Sequence, residues 1–401
     1  MRAATGSTDG ARPRRVLFVA RSVDDTGSVM FNLQLIRQLS ADGGDARFFS
    51  WWPPQTSAER ARAAGVATGP TPPPSAGQGR RSRVRALVAE ARAADVIVST
   101  QEWGRTLELA WLASVAARKP LVIEAQNNLQ KVLEENATRR EAAFAHWTYR
   151  RARCVVPVAE GLVEQLHAAF GVPRSRIVPI HNAINLDRAR ALAHASDESG
   201  VPVDGEPIVL SIGRLTPQKA YDQLIIAHAR ALRDGPRHRL VLVGEGAART
   251  VLEGVARERG VMDSVTFTGH LTNPFPLLAR TALFCLSSRY EGLPLVLAES
   301  LSLGVPTLAT DCISGPREIL RDGDYGELVP VDAPDALARA IAAHLREPAV
   351  LRARAAAAEA WLANFSIHEA ARRYAALFAR IAGKAAVARP LRLQAGGRAP
   401  E

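Results

Sequence analysis

Two glutamates, Glu291 and Glu299, stand with seven residues between them in the stretch YEGLPLVLAES. The first lies at a turn with Gly292 and Leu293. The second lies in an apolar run with the look of a helix. Proline suits the first position of a helix and glycine its end, so Pro294 and Gly304 are expected to bound that helix. Its unsatisfied N–H groups, at Leu295 and Val296, then form an anion site. Glu299 falls about one and a half turns in, placed to accept hydrogen bonds from a diol. Glu291, ahead of the helix, can reach a different part of the same ligand.

A second cluster precedes the first. In SIGRLTPQKAYDQLI, Gly213 and Arg214 end an expected strand and Lys219 stands just before an expected helix. Arginine offers a planar fork to phosphate oxygens and lysine a point charge. An anion at a helix start with hydroxyls on either side describes a nucleotide sugar. Its diphosphate meets the helix, its ribose Glu299 and its hexose Glu291. Either cluster alone reads equally well as surface residues and chance acidic content. Both together, in this order and after a full α/β domain, are specific.

The surrounding pattern supplies elements to hold them. Strand-like runs (RVLFVA, ARFFSWW, DVIVST, PLVIEAQ, RCVVPVA, RIVPIHNAIN) alternate with helical segments over the first half. The stretch PPQTSAERARAAGVATGPTPPPSAGQGRRS reads as a loop. Apolar periodicity lapses at 190–206, the expected linker, and the alternation then restarts from PIVLSIG to DALARAIAAHLRE. The expected fold is α/β, with two doubly wound Rossmann-like domains facing across a cleft that holds the ligand. Domain limits are set at 14–189 and 207–365, with a C-terminal helix over 366–385 packing back towards the first domain. The ends, 1–13 and 386–401, read as disordered.

Composition narrows the partners. The 401 residues carry a net charge of +11, and residues 1–200 hold 27 Lys and Arg against 19 Asp and Glu. This excess fits either an anionic partner or an arginine-rich solvated surface. The basic segment RREAAFAHWTYRRARC, with Trp147 and Tyr149, fits a membrane-surface helix or a solvated one. No apolar run approaches the ~18 residues of a membrane span. Cys154, Cys285 and Cys312 show no disulfide or zinc spacing, which suits a reducing cytoplasm. No nucleic-acid-binding module is recognisable.

The motifs GRLTPQKA, LVLVGEG, VTFTGHL, SSRYEGLPLVLAES and ATDCISGPREIL together resemble glycosyltransferase family 4, of the GT-B fold. The last of them resembles the bacterial surface-polysaccharide subgroup. The likeness is specific over 206–340 and looser over 14–185. It implies a retaining, metal-independent transfer of a hexose or N-acetylhexosamine, with no cofactor beyond a nucleotide sugar. UDP-linked donors are implied first and GDP-mannose is the alternative. The first domain would hold the acceptor, whether glycan, glycolipid or small molecule, and the second the donor. The protein would be cytoplasmic, with peripheral contact to an anionic membrane open, and no nucleic acid involved. By the same resemblance, Arg214, Lys219 and Glu291 would be catalytic. Gly27, Gln126, Gly213, Gly269, His270, Gly292, Leu293, Leu295, Val296 and Glu299 would line the donor.

The sequence departs from the family three times near these residues, first in a glycine-rich first loop reduced to Gly27. Ala220 stands where a glycine usually follows the lysine, and Gln126 replaces a histidine that usually faces the donor sugar. Glutamine cannot titrate, which keeps open a weakly catalytic sugar-nucleotide-binding protein. The DGD at 322–324 resembles a metal motif but reads better as a turn. The GEG at 244–246 fits close packing as well as binding, and His181 reads as a hinge loop residue.

Overall fold

The computed structural model describes residues 14–23, 27–52, 54–68, 80–202 and 205–383. The terminal segments 1–13 and 386–401 lie outside them. In chain order the first elements are β1 (Arg15–Ala20), α1 (Gly27–Ala41), β2 (Asp45–Ser50), α2 (Pro54–Ala63) and α3 (Arg80–Ala93). Then come β3 (Val96–Ser99), α4 (Gly104–Ala117), β4 (Leu121–Ala125), α5 (Leu129–Asn136), α6 (Arg139–Tyr149), β5 (Cys154–Pro157), α7 (Val163–Ala168) and α8 (Leu186–Ala193). The second series runs β6 (Ile208–Ile212), α9 (Tyr221–Asp234), β7 (Arg239–Val243), α10 (Arg249–Glu258), β8 (Val265–Gly269), α11 (Phe275–Ala279) and β9 (Leu283–Leu286). It continues with α12 (Leu295–Ser302), β10 (Thr307–Thr310), α13 (Pro316–Ile319), β11 (Glu327–Val329), α14 (Pro334–Arg346), α15 (Ala349–Ala356), α16 (Glu359–Leu362) and α17 (Ile367–Ala382).

Two sheets form, in the orders β2-β1-β3-β4-β5 and β11-β10-β9-β6-β7-β8. The chain divides into two compact units. One holds the described residues up to Glu124, Ala143–Val155 and those from Ala371 on; the other holds Ala125–Ala142 and Val156–Ala370. In the first unit α17 packs beside the sheet, with Phe378 edge-on to Phe18 at 6.1 Å. The buried Glu124 carboxylate accepts from Asn32 (2.9 Å) and from Tyr374 (3.0 Å). In the second unit successive residues of β6 face opposite sides. Ile208 and Leu210 join a core built with α11, α12 and α16. Val209 joins one built with α9, α10 and α14. A strand buried on both faces must be apolar throughout, which is why these strands read as unbroken apolar runs. Each fully buried Leu or Phe contributes about 1.5–3 kcal/mol.

Three local expectations are corrected. The loop drawn over the Pro-rich stretch contains α2, and its last residues open α3; proline at Pro54 starts a helix rather than preventing one. The run 176–185 forms no sheet strand, only isolated bridge residues at Ile177 and at Ile184, the latter paired with Ser366. The first residues of the expected linker are helical, because α8 extends to Ala193.

Candidate functional site

The second sheet reverses its winding between β6 and β9, and doubly wound sheets bind ligands beyond the carboxyl ends of the strands at that point. Gly213 and Arg214 follow β6 directly, and Ser287 to Glu291 follow β9. The two loops are tied together. Ser287 Oγ donates to the Lys219 carbonyl (2.7 Å), Gln218 Nε2 to the Tyr290 carbonyl (2.9 Å), and the Arg289 N–H to the Gln218 carbonyl (2.8 Å).

Across this join Lys219 Nζ lies 2.6 Å from Glu291 Oε1, with side chains only 14% and 8% exposed. Ser288 Oγ donates to the same oxygen at 2.6 Å. Gly213 makes room for the lysine stem: a Cβ there would lie 3.2 Å from Lys219 Cε and 2.9 Å from Tyr221 Oη. Ala220 then turns the chain into α9 through a left-handed conformation, φ 48° and ψ 40°. This is the geometry that favours glycine, and it explains why alanine here is a departure with a physical cost.

The helix after Glu291 starts one residue later than expected. Pro294 is its N-cap and Leu295 its first residue, while Gly304 follows its end at φ +69°. The Leu297 N–H closes on the Pro294 carbonyl at 2.9 Å, so Leu295 and Val296 carry the leading N–H groups. Glu299, one turn on, is half-buried, and burial pushes its carboxyl up to about 7, with Arg188 drawing it slightly back. No hydrogen-bond donor among the described residues reaches that carboxylate. Leu293 is buried against the core beneath.

Gly292 is pressed onto another segment. A Cβ on it would stand 2.0 Å from the Gln126 carbonyl oxygen, so only glycine fits. Gln126 is thereby placed beside the Glu291 turn, and its side-chain oxygen accepts from Asn182 at 2.7 Å. Gly315, at φ +88°, backs the same turn, with the Gly292 carbonyl 2.6 Å from where its Cβ would be. Arg214 is exposed, and its charge acts on the Tyr290 phenol, whose hydroxyl donates to Glu135.

Gly269 and His270 stand at the end of β8. Gly269, at φ +76°, bridges to Gly244, and the exposed His270 N–H is 3.5 Å from Glu245 Oε1. Gly27 belongs to the first unit, as the exposed first residue of α1, where a Cβ would meet nothing within 4 Å. The structure therefore gathers Gln126, Gly213, Lys219, Glu291, Gly292 and the start of α12, with Arg214 at the edge.

Residues 195–361 match the family described as glycosyl transferases group 1, and residues 26–183 match the glycosyl transferase 4-like domain. The chain belongs to these glycosyltransferases. It is 29% identical over 207 residues to an N-acetylgalactosamine-N,N'-diacetylbacillosaminyl-diphospho-undecaprenol 4-alpha-N-acetylgalactosaminyltransferase of Campylobacter jejuni, covering 51% of this chain and 54% of that one. It is 33% identical over 183 residues to an alpha-D-kanosaminyltransferase of Streptomyces kanamyceticus, covering 45% and 47%. The chain thus spans about half the length of these curated relatives. The crystal structure of Anabaena Alr3699/HepE in complex with UDP and glucose shares the fold, with TM-score 0.76 at 19% identity, covering 91% of this chain and 99% of that one.

Several features of this glycosyltransferase chain were not legible as site residues. Glu318 accepts the N–H groups of Glu160 (2.8 Å) and Gly161 (2.9 Å) and lies 2.8 Å from His181 Nε2. Burial alone would raise the Glu318 carboxyl, but His181 and the two N–H groups hold it below its usual range. His181 is thus buried and bonded rather than a plain loop residue. The Glu318 carboxylate in GPREIL, directly before the apolar Ile319 and Leu320, was the available signal. Ser288 was likewise missed. The glycines of GEG serve packing: Cβ atoms on Gly244 and Gly246 would meet the Gly213 and Leu215 carbonyls at 2.1 and 2.3 Å. Asp322 pairs with Arg317 and Asp324 with Arg321, in the turn that the DGD suggested. Tyr149 is fully buried, so of the two aromatics proposed for a surface only Trp147 is exposed.

Proposed function

We propose that the chain transfers a sugar from a nucleotide donor, UDP-linked by preference, to an acceptor in surface-polysaccharide or secondary-metabolite biosynthesis. The observation that carries this is the Lys219–Glu291 pair beside the start of α12, with Glu299 one turn further on, its carboxylate met by no hydrogen-bond donor among the described residues. Lys219 has three N–H donors and uses one on Glu291, leaving others for a diphosphate. With Arg214 and the Leu295 and Val296 N–H groups it stabilises charge as it builds on the leaving group. Glu299 takes the ribose diol and Glu291 the sugar hydroxyls. The UDP and glucose in the Anabaena structure support this donor class. Retention of anomeric configuration and independence of metal belong to the proposal. A panel of UDP- and GDP-sugars, read by thermal shift and then by turnover with and without EDTA, tests it. Preferential stabilisation by UDP-sugars, with EDTA-resistant transfer, is expected. Stabilisation without turnover on any acceptor would favour the binding-protein reading, which the untitratable Gln126 motivates. Inversion at the anomeric carbon would overturn the mechanism.

Peripheral contact with an anionic bilayer completes the proposal. In the first unit, Leu112 and Val115 on α4 are exposed at 45% and 56%, and Trp147 on α6 at 40%. Trp111 packs edge-on to Trp147 at 4.8 Å, and Arg151 lies 4.4 Å from its ring. An aromatic pair with an arginine over one ring face suits the level of lipid headgroups. Among the described residues no helix is long and apolar enough to cross a membrane.

A further inference from the structure

The first unit contains a pocket of about 420 Å³ whose lining includes none of the residues assigned above. Its walls come from the end of β2 and the residues after it (Phe49, Trp51, Trp52), from α3 (Val84, Leu87) and from α4 (Leu109). That size lies within the ~300–1,000 Å³ of small-molecule sites, and mostly apolar walls with a few placed polar groups are their usual composition.

The aromatic wall is fixed on one side and open on the other. Trp51 Nε1 donates to Thr106 Oγ1 at 3.0 Å, which locks its indole against α4. Trp52 is 51% exposed, so a large apolar face stands in water. Among the described residues, two cations and no carboxylate complete the lining. Arg105 is engaged by Glu108 at 2.8 Å. Arg83 has no ion-pair partner among the described residues. Its guanidinium lies 5.4 Å from the Trp52 ring and makes one long contact, 3.4 Å, to the Trp51 carbonyl. The tryptophan face therefore orients the arginine while leaving most of its N–H groups available. Arg81 and Arg85 add like charge on the same helix.

We infer that this pocket binds a small molecule with a flat apolar body and an anionic group. The body stacks against Trp51 and Trp52, and the anion meets Arg83. On the transferase reading, on which this last step rests, the ligand is the acceptor, and its class is an anionic, ring-bearing compound rather than a plain sugar. The charge favours an anion over a neutral glycan: Arg83, with no carboxylate partner among the described residues, gains more from a charge-assisted pair with an anionic group than from sugar hydroxyls.

Calorimetry with 2-naphthyl phosphate and with 2-naphthol, in the absence of any nucleotide, tests the inference. The phosphate is expected to bind saturably at one site, at least tenfold tighter than the naphthol. Arg83→Ala should remove that difference and Arg83→Lys restore part of it. Val84→Trp should abolish binding by filling the cavity. Because that variant could fail to fold, Trp52→Ala, at an exposed position, serves beside it and should weaken binding several-fold, with melting temperatures checked for both. Equal affinity for phosphate and naphthol, or binding indifferent to Arg83→Ala and Trp52→Ala, would overturn the pocket's assignment. UDP affinity is measured on the same samples. Absence of UDP binding by the wild type would count against the donor site alone, and absence of naphthyl phosphate binding against this pocket alone.

Discussion

Replacing Glu299 by glutamine should make the unliganded protein more stable and its donor site weaker. Burial raises this carboxyl from its ordinary value of 4.5 to about 7. A group held in its neutral form by the fold leaves folding unpenalised below pH 4.5. As the pH climbs to about 7 the unfolded chain gains by ionising while the folded chain does not, and stability falls over that window. The full difference corresponds to about 3 kcal/mol, and partial access of the side chain to water reduces it to about 1–2 kcal/mol. Glutamine never ionises and escapes the penalty. At pH 8 the unliganded variant should therefore melt higher than the wild type, and at pH 4.5 the two should converge. Against this stands the lost ionic acceptor for the ribose diol, a hydrogen bond worth about 1.5–3 kcal/mol, or roughly a 10- to 100-fold weaker UDP affinity. Because a diol prefers the ionised carboxylate, UDP binding to the wild type at pH 7 should also release roughly half a proton. Calorimetry in two buffers of different ionisation enthalpy reads this release. Unchanged UDP affinity in the variant, or a lower melting temperature at pH 8, would refute the reasoning.

Lys219→Ala and Arg214→Ala should each cut turnover about a hundredfold, since a charge stabilised in the transition state is often worth ~3 kcal/mol. Only Lys219→Ala should also lower the melting temperature, because it leaves the buried Glu291 unpaired; wild-type rates in both would remove them from catalysis. Ala220→Gly should raise stability by about 0.5–1 kcal/mol by relieving the left-handed backbone, and destabilisation in a melting experiment would contradict this. His228 and His238 are buried 2.9 Å apart, and burial holds His228 near 3. The fold takes up protons there less readily than the unfolded chain, so stability should fall as pH drops below about 6.5, by about 2 kcal/mol at pH 5, and His228→Gln should flatten that part of the melting profile. Trp147→Ala with Arg151→Ala should abolish low-salt flotation with anionic liposomes while sparing UDP binding, and no flotation by the wild type would remove the membrane from the proposal.

What the sequence revealed and what it hid divide along a physical line. The alternating apolar runs show two parallel sheets because a strand buried on both faces leaves a local signature. The placement of Lys219 and Glu291 after strand ends, and of Glu299 one turn into α12, was legible because each position is set by a local strand or helix boundary. The contact of Gly292 with Gln126 was not, since glycine in a turn has many causes and its neighbour lies far back in the chain. The Glu318–His181 link was hidden for the same reason. The α2 helix was masked by the prolines and glycines that follow it, although PQTSAERARA is itself compatible with a helix. The two buried histidines carried no local cue, because His228 reads as one more residue of an amphipathic helix.

The Glu318 carboxylate also has a bearing on how the protein is made. It joins residues that leave the ribosome at very different times: His181 precedes it by 137 positions, and Gly161 by 157. At about 5–20 residues per second, His181 waits roughly 7–27 s for its partner to be synthesised. During that interval the nascent segment from Glu160 to Ile184 carries polar groups, and apolar ones such as Leu162, whose burial depends on chain not yet made. Synthesis that stalls between these positions would expose a segment suited to holdase chaperones, and a fragment ending before Glu318 could not close this part of its core.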